Sequence, residues 1–271
     1  MNTRRQLLLG ALLALPCSIA LAQNLPPGKL YTPGPFDSLS FNGSAQVRFK
    51  QGERDEVYIE GDDEVQRSVE MLLKDGELSL RSSGSWMFWR KASRLRLHVT
   101  ARQLKDLHVS GAANFVAEQP VQAEKLTIGI SGSALVRFDQ LQAETLRFAV
   151  SGSGDGVFSG QVQNLSLSIS GRSDFGAENL LTQQAKVSIS GLGKARLWVR
   201  QELAINISGI GTVDYWGNPA VQRRLSGIST VNVRGDKGAP TALPAPASLP
   251  SPPSPLSPLS PPSPPSSSSH K

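Results

Sequence analysis

The chain has 271 residues, 39% of them hydrophobic, with 28 basic against 22 acidic side chains and a formal charge of +6. The basic excess is small and interspersed, and no nucleic-acid motif accompanies it, which argues against nucleic acid as a partner. The one cysteine, Cys17, lies so near the N-terminus that a processed chain would have no disulfide and would rely on core burial and hydrogen bonding.

The N-terminus, MNTRRQLLLGALLALPCSIALAQ, places Arg4 and Arg5 before a short apolar run and Ala20-Leu21-Ala22 before a cut. That is the layout of a secretory signal over residues 1–22, too short and wrongly flanked for a membrane anchor. Thr3 to Leu8 also approximates the twin-arginine export pattern, which leaves two export routes open. Pro16 before Cys17 argues against a lipoprotein. Residues 23–35 read as a linker.

Strands are expected over Ser38–Lys50, Glu56–Glu60 and Glu77–Arg81, with a short helix-like stretch near Asp63–Glu70 capping the first coil. The next stretch, SSGSWMFWRKASRLR, gathers Trp86, Phe88 and Trp89 beside Arg90, Lys91 and Arg94. Aromatics beside cations can stack on sugars, dock a partner or settle at a membrane interface. The competing reading is a loop folded over the stack with both indoles buried. Arg94–Arg102 then leads into a regular array.

That array is a repeat. Ser-Gly recurs at Ser110, Ser131, Ser151, Ser170, Ser190, Ser208 and Ser226, at spacings of 21, 20, 19, 20, 18 and 18 residues. Aligned on the serine, the odd offsets are aliphatic or small and the even offsets mostly polar, the period-two pattern of strands with one buried face. A period of this length has no room for a helix in each unit, and hairpin turn pairs are not spaced to match it. The pattern predicts an all-β, parallel β-helix with one coil per repeat, in which stacking supplies the core and the ladder hydrogen bonds together. Right-handed winding is expected, as for other parallel crossovers. Gly111, Gly132, Gly152, Gly171, Gly191, Gly209 and Gly227 become coil corners, followed two residues later by Ala, Gly or Ser because space is short at the bend. The serines are read as corner residues too, since none has a paired base. Arg223 takes an inward aliphatic position, as expected where a last coil meets water.

The rest, 238–271, is Pro/Ser-rich; 12 of the 19 prolines lie between Pro240 and Pro265. Proline lacks the donor and φ freedom that sheets need, so a disordered spacer is expected, with recognition by a proline-binding partner as the alternative. The β-helix domain is accordingly placed at 36–237.

The segments FDSLSFNGSAQVRFKQG, VYIEGDDEV and DGELSL, the serial ISGSA and ISGIG coils, and the closing VDYWGNPAVQRRLSGISTV resemble the GIN domain, the head domain of autotransporter-adhesin-like proteins. The resemblance covers roughly Phe36 to Val233. It implies a parallel β-helix in exported bacterial envelope proteins and brings no catalytic residues with it.

Among polar residues, Asp155 and Asp174 share the offset four after their serines. Register would bring them about 5 Å apart, near enough for acid/base work or a cation, although a solvated ladder explains them as well. His98, His108 and His270 are too scattered for a metal site or a triad, and no cofactor motif is present. The reading is an exported periplasmic or cell-surface module, non-enzymatic, acting as a scaffold or as an adhesion domain for an envelope protein or glycan. The alternative is a polysaccharide-acting enzyme with carboxylates on adjacent coils. No segment beyond the signal reads as a membrane span, and oligomeric state is left open.

Overall fold

The structure, a computed structural model, describes residues 26–82 and 95–238. It is a parallel β-solenoid. Strands β11 (Ser133–Val150), β12 (Ser153–Ile169), β13 (Arg172–Ile189) and β14 (Leu192–Ile207) wind from one Ser-Gly corner to the next, with β10 (Val121–Ile130) ending at the first of these corners and β15 (Ile210–Trp216) starting from the last. Each pairs in parallel with its successor. β16 (Ala220–Leu225) and β17 (Ile228–Val233) make the last coil, on β14 and β15.

Register stacks like on like. Leu146, Leu165, Ala185 and Leu203 form one column, and Phe148, Leu167, Val187 and Ile205 another. All are buried, so alternation in sequence becomes an inward and an outward face on every coil. Coil length varies, yet the corners stay in line. The extra residues are absorbed on the opposite side, where register shifts fall between Phe138 and Leu141, Ala177 and Leu181, and Thr182 and Gln184.

Down the axis runs a file of rings, Phe49, Phe115, Phe138, Phe158 and Phe175, with successive centroids 5.3–5.7 Å apart. Phe148 reaches in from another wall to 5.6 Å from Phe158 and 5.1 Å from Phe175. Gly156 makes room for that cluster: a Cβ there would stand 2.8 Å from Phe158 and 3.0 Å from Phe148.

The N-terminal end departs from the expected arrangement in two ways. β2 (Ser38–Asn42) and β3 (Ser44–Gln51) do not cap the stack; they are a full rung within it. β2 lies between β6 (Glu77–Ser82) and β8 (Asp106–Val109). β3 lies between β7 (Arg96–Ala101) and β9 (Ala112–Ala117). Asn42-Gly43 thereby occupies the corner that Ser-Gly occupies elsewhere, and Ala112 N–H donates to Gly43 O at 2.7 Å. The cap is antiparallel instead: β4 (Glu56–Glu60) on β7, β1 (Gly28–Tyr31) on β4, and β5 (Val69–Lys74) on β6.

The second departure is local. Helix α1 (Asp63–Arg67) starts at Asp62, whose carboxylate accepts Val65 N–H, and stops at Ser68. From Val69 the chain is strand, because Val69, Met71 and Leu73 alternate against the core. Asp75 and Gly76, with φ of 51° and 80°, close the β5–β6 hairpin in the two-residue turn their residue types favour.

Asp37 ties three rungs together. Its N–H donates to Gly76 O at 3.1 Å, its carbonyl accepts Lys105 N–H at 2.7 Å, and its carboxylate pairs with Lys105 Nζ at 2.7 Å. The Lys105 ammonium holds the Asp37 carboxyl below its ordinary 3.8. A lowered folded value adds stability above the ordinary value that is lost as pH falls through it. Melting temperature should therefore fall more steeply between about pH 5 and about pH 3 in the wild type than in Lys105→Met. Parallel curves would remove this pair from the acid response.

Candidate functional site

The corner glycines form one column, each beneath the next, and their crowding is with the neighbouring coil rather than within their own turn. A Cβ on Gly111, Gly132, Gly152, Gly171, Gly191, Gly209 or Gly227 would stand 1.9–2.2 Å from the carbonyl oxygen of the glycine one coil earlier. None of the seven has positive φ. All but the exposed Gly227 are half-buried, while the small residues two positions on, such as Ala134, Gly154 and Ser173, are buried. The preceding serines face out, and six of the seven donate their hydroxyls to the coil below, among them Ser170 Oγ to Val150 O at 3.1 Å, Ser110 Oγ to Phe41 O at 3.1 Å, and Ser226 Oγ to Ile207 O at 3.4 Å. These hydroxyls are spent on the stack.

Asp155 and Asp174 do meet, on adjacent coils. Asp155 Oδ1 accepts the backbone N–H of Asp174 at 2.8 Å, and the Asp174 carboxylate pairs with Arg196 at 3.0 Å. Arg196 also binds Glu178 at 3.3 Å, and both partners hold its guanidinium above the usual range against the opposing effect of burial. One carboxylate is thus occupied by a backbone donor and the other by a guanidinium. The sheet there is ordered by charge, with no free acid facing a free base. One coil on, buried Asp214 accepts from Asn232 at 2.8 Å and pairs with Arg234 at 3.0 Å.

His98 lies beside Glu60 at 3.3 Å and edge-on to Tyr58. Burial pushes the Glu60 carboxyl up, but bonds from Arg96 and His98 outweigh it and hold the group below its ordinary value. His108 faces outward beside Gly129. Among the described residues no three His, Cys, Asp or Glu side chains gather where they could hold a metal. Arg223 donates to the Tyr215 hydroxyl at 3.3 Å. Trp86, Phe88, Trp89 and Arg90 lie outside the described residues, in the connection between β6 and β7.

What sequence reading missed is a groove along the coils. It encloses about 630 Å³ and is lined by two in-register outward ladders: Thr145, Asn164, Gln184 and Glu202, and Arg147, Ser166, Lys186, Ala204 and Gln222. Amide and hydroxyl side chains both donate and accept, while Arg147 and Lys186 add charge-assisted donors. A second, shallower polar depression is lined by Gln122, Gln142, Gln161 and Gln163 with Glu124 and Glu144. These glutamines lie beyond the residues aligned on the Ser-Gly corners, so the repeat pattern did not single them out. Nothing in one dimension tells a concave polar face from a flat one.

Such a stack, with antiparallel strands over its first coils, defines a capped parallel β-solenoid. The chain belongs to the family described as "Putative auto-transporter adhesin, head GIN domain", whose model matches residues 35–219. Solved structures agree on the fold. A "putative adhesin" from Bacteroides fragilis is 20% identical, with a TM-score of 0.70 over 77% of this chain and 96% of its own. A "putative adhesin" from Parabacteroides distasonis is 20% identical, with a TM-score of 0.59 over 76% and 96%. A "putative lipid binding protein" from the same species is 19% identical, with a TM-score of 0.61 over 78% and 97%. No curated protein is a significant match. Among the described residues no helix is long and apolar enough to cross a membrane, which leaves β-barrel segments unaddressed.

Proposed function

We propose that this chain is an exported, non-enzymatic adhesion module that binds an extended glycan or protein segment along its coils. The observation that carries the proposal is the groove whose two outward ladders repeat amide, hydroxyl and cationic groups at the rung spacing of about 4.8 Å. A polymer lying along the solenoid axis would meet at least one polar side chain on each of these rungs. The adhesin-like family and neighbours support an adhesion-type role at the envelope. Residues 1–22 are the export signal in this reading, and 238–271 a Pro/Ser-rich spacer. Trp86, Phe88, Trp89 and Arg90 are a second contact in this reading. The engaged state of Asp155 and Asp174 gives the polysaccharide-cleaving alternative no support.

The test is a glycan array with the purified chain, followed by titration of the best ligand against two variants. Arg147→Ala/Lys186→Ala is expected to weaken binding at least about tenfold, since each charge-assisted bond contributes about 1.5–3 kcal/mol. Loss confined to Trp86→Ala/Trp89→Ala would move the site to the aromatic segment. Unchanged affinity in both variants would end the groove assignment.

A further inference from the structure

The two ends of the solenoid are treated differently. At the first coils, antiparallel β1, β4 and β5 cover the stack. At the last coil, among the described residues, β17 pairs only with β15, and its second edge is open. Among the described residues the chain does not return over that edge: after Val233 it runs back along the side, with Arg234 N–H on Tyr215 O, Lys237 Nζ on Glu178 O and over the Trp216 ring. Sequence beyond begins its prolines at Pro240, and proline has no N–H to give a ladder.

Exposed apolar residues gather here. Leu192, Ile210 and Ile228 form one outward column, 47%, 50% and 74% exposed, and Val233 is 59% exposed. Inward Val221 and Val231 are only partly buried. Natural edges are blunted by charge, proline or bulges. β16 carries such a device in Arg223 and Arg224. β17, with the sequence Ile-Ser-Thr-Val-Asn-Val, has none.

The open edge is also self-complementary. Ser226 N–H and Arg234 N–H donate to the coil below, so alternation along the strand turns the backbone groups of Ser229, Val231 and Val233 toward the open side. Two copies related by a two-fold axis through Val231 would pair antiparallel, Val231 with Val231 and Ser229 with Val233. Every such pair exchanges two bonds. The same three side chains point inward, so the two open cores would close on each other. The axis also swaps the flanking faces, which keeps the Arg223 and Arg224 of one copy from opposing those of the other.

We infer that β17 is a homodimer interface, joining two copies of this chain end to end through antiparallel β17 strands with the capped ends outermost. A pair of six-residue strands is smaller than the ~1,600 Å² of a standard stable interface, so the association is expected to be weak, with a Kd on the order of tens of micromolar.

The test is sedimentation equilibrium of the purified chain across the micromolar range, with amide exchange read at Ser229, Val231 and Val233. The expected result is a monomer–dimer equilibrium in which those three amides slow as concentration rises. Val233→Pro removes a donor that faces the open side while sparing the bonds to β15, and is expected to weaken the dimer at least about tenfold. A chain monomeric throughout overturns the inference. So do a dimer unaffected by Val233→Pro and a monomer whose three amides are already slow, which would mean the chain's own tail covers the edge. Should Val233→Pro fail to fold, the concentration dependence of exchange in the wild type decides alone.

Discussion

Gly171→Ala is expected to cost about 3–5 kcal/mol, enough to threaten a domain of ordinary stability. The added methyl would lie 1.9 Å from Gly152 O and 2.5 Å from Ser151 O, and both belong to the backbone of the coil below. Neither can swing aside as a side chain would. Relief requires the two rungs to separate at the corner, which loosens Arg172 N–H to Gly152 O at 2.9 Å and Ser170 N–H to Val150 O at 2.8 Å. The matched control is Gly129→Ala. Its methyl meets only the His108 ring, at 2.9 Å from Nδ1, and that ring can turn away. The control should stay within about 0.5 kcal/mol of wild type. Urea unfolding at constant m would read both variants. Equal costs would show that the corner column is not what requires glycine.

Phe158→Ala should produce the second large loss, about 3–5 kcal/mol. The ring is fully buried, with neighbouring centroids at 5.6 Å (Phe138), 5.6 Å (Phe148) and 5.3 Å (Phe175). Its removal leaves a cavity on the axis, and stiff ladders on every wall limit collapse. The cluster predicts coupling as well. Gly156→Ala alone overpacks against Phe158, at about 1–3 kcal/mol. In a Phe158→Leu background the same methyl has more room, so the double variant should cost less than the sum of the singles. Strict additivity in the thermodynamic cycle would show that Gly156 does not serve the ring cluster.

Much of this molecule could be read from the chain. Seven Ser-Gly pairs at nearly constant spacing, with apolar residues at odd offsets on both sides, admit few architectures besides stacked coils, and the observed registers follow that alignment. The reading was weakest where the pattern stopped. The helix-like stretch expected over Asp63–Glu70 ends at Arg67, and the alternation that decides for strand starts only at Val69. Asn42-Gly43 went unrecognised as a corner because its strands lie between rungs that follow them in sequence. That insertion is a matter of long-range pairing.

The glycines divide the same question more finely. Their presence at each corner was evident, and bend geometry was the natural explanation. The backbone φ values are ordinary, and the obstruction is the next coil's carbonyl, which does not exist until the stack forms. Asp155 and Asp174 show the same limit. Their common offset placed them side by side, but only the fold brought Arg196 across from the next coil and turned a candidate pair into an ion-paired brace.

Period-two alternation and a fixed repeat length are local and cumulative, so the linear sequence by itself determined the solenoid, its inward face and its corners. Which outward residues share a groove, which strand is left with an open edge, and which charges are already spent depend on contacts between coils about twenty residues apart and, at the N-terminal end, out of chain order. Those contacts are set by packing and register, and only the tertiary structure decides them.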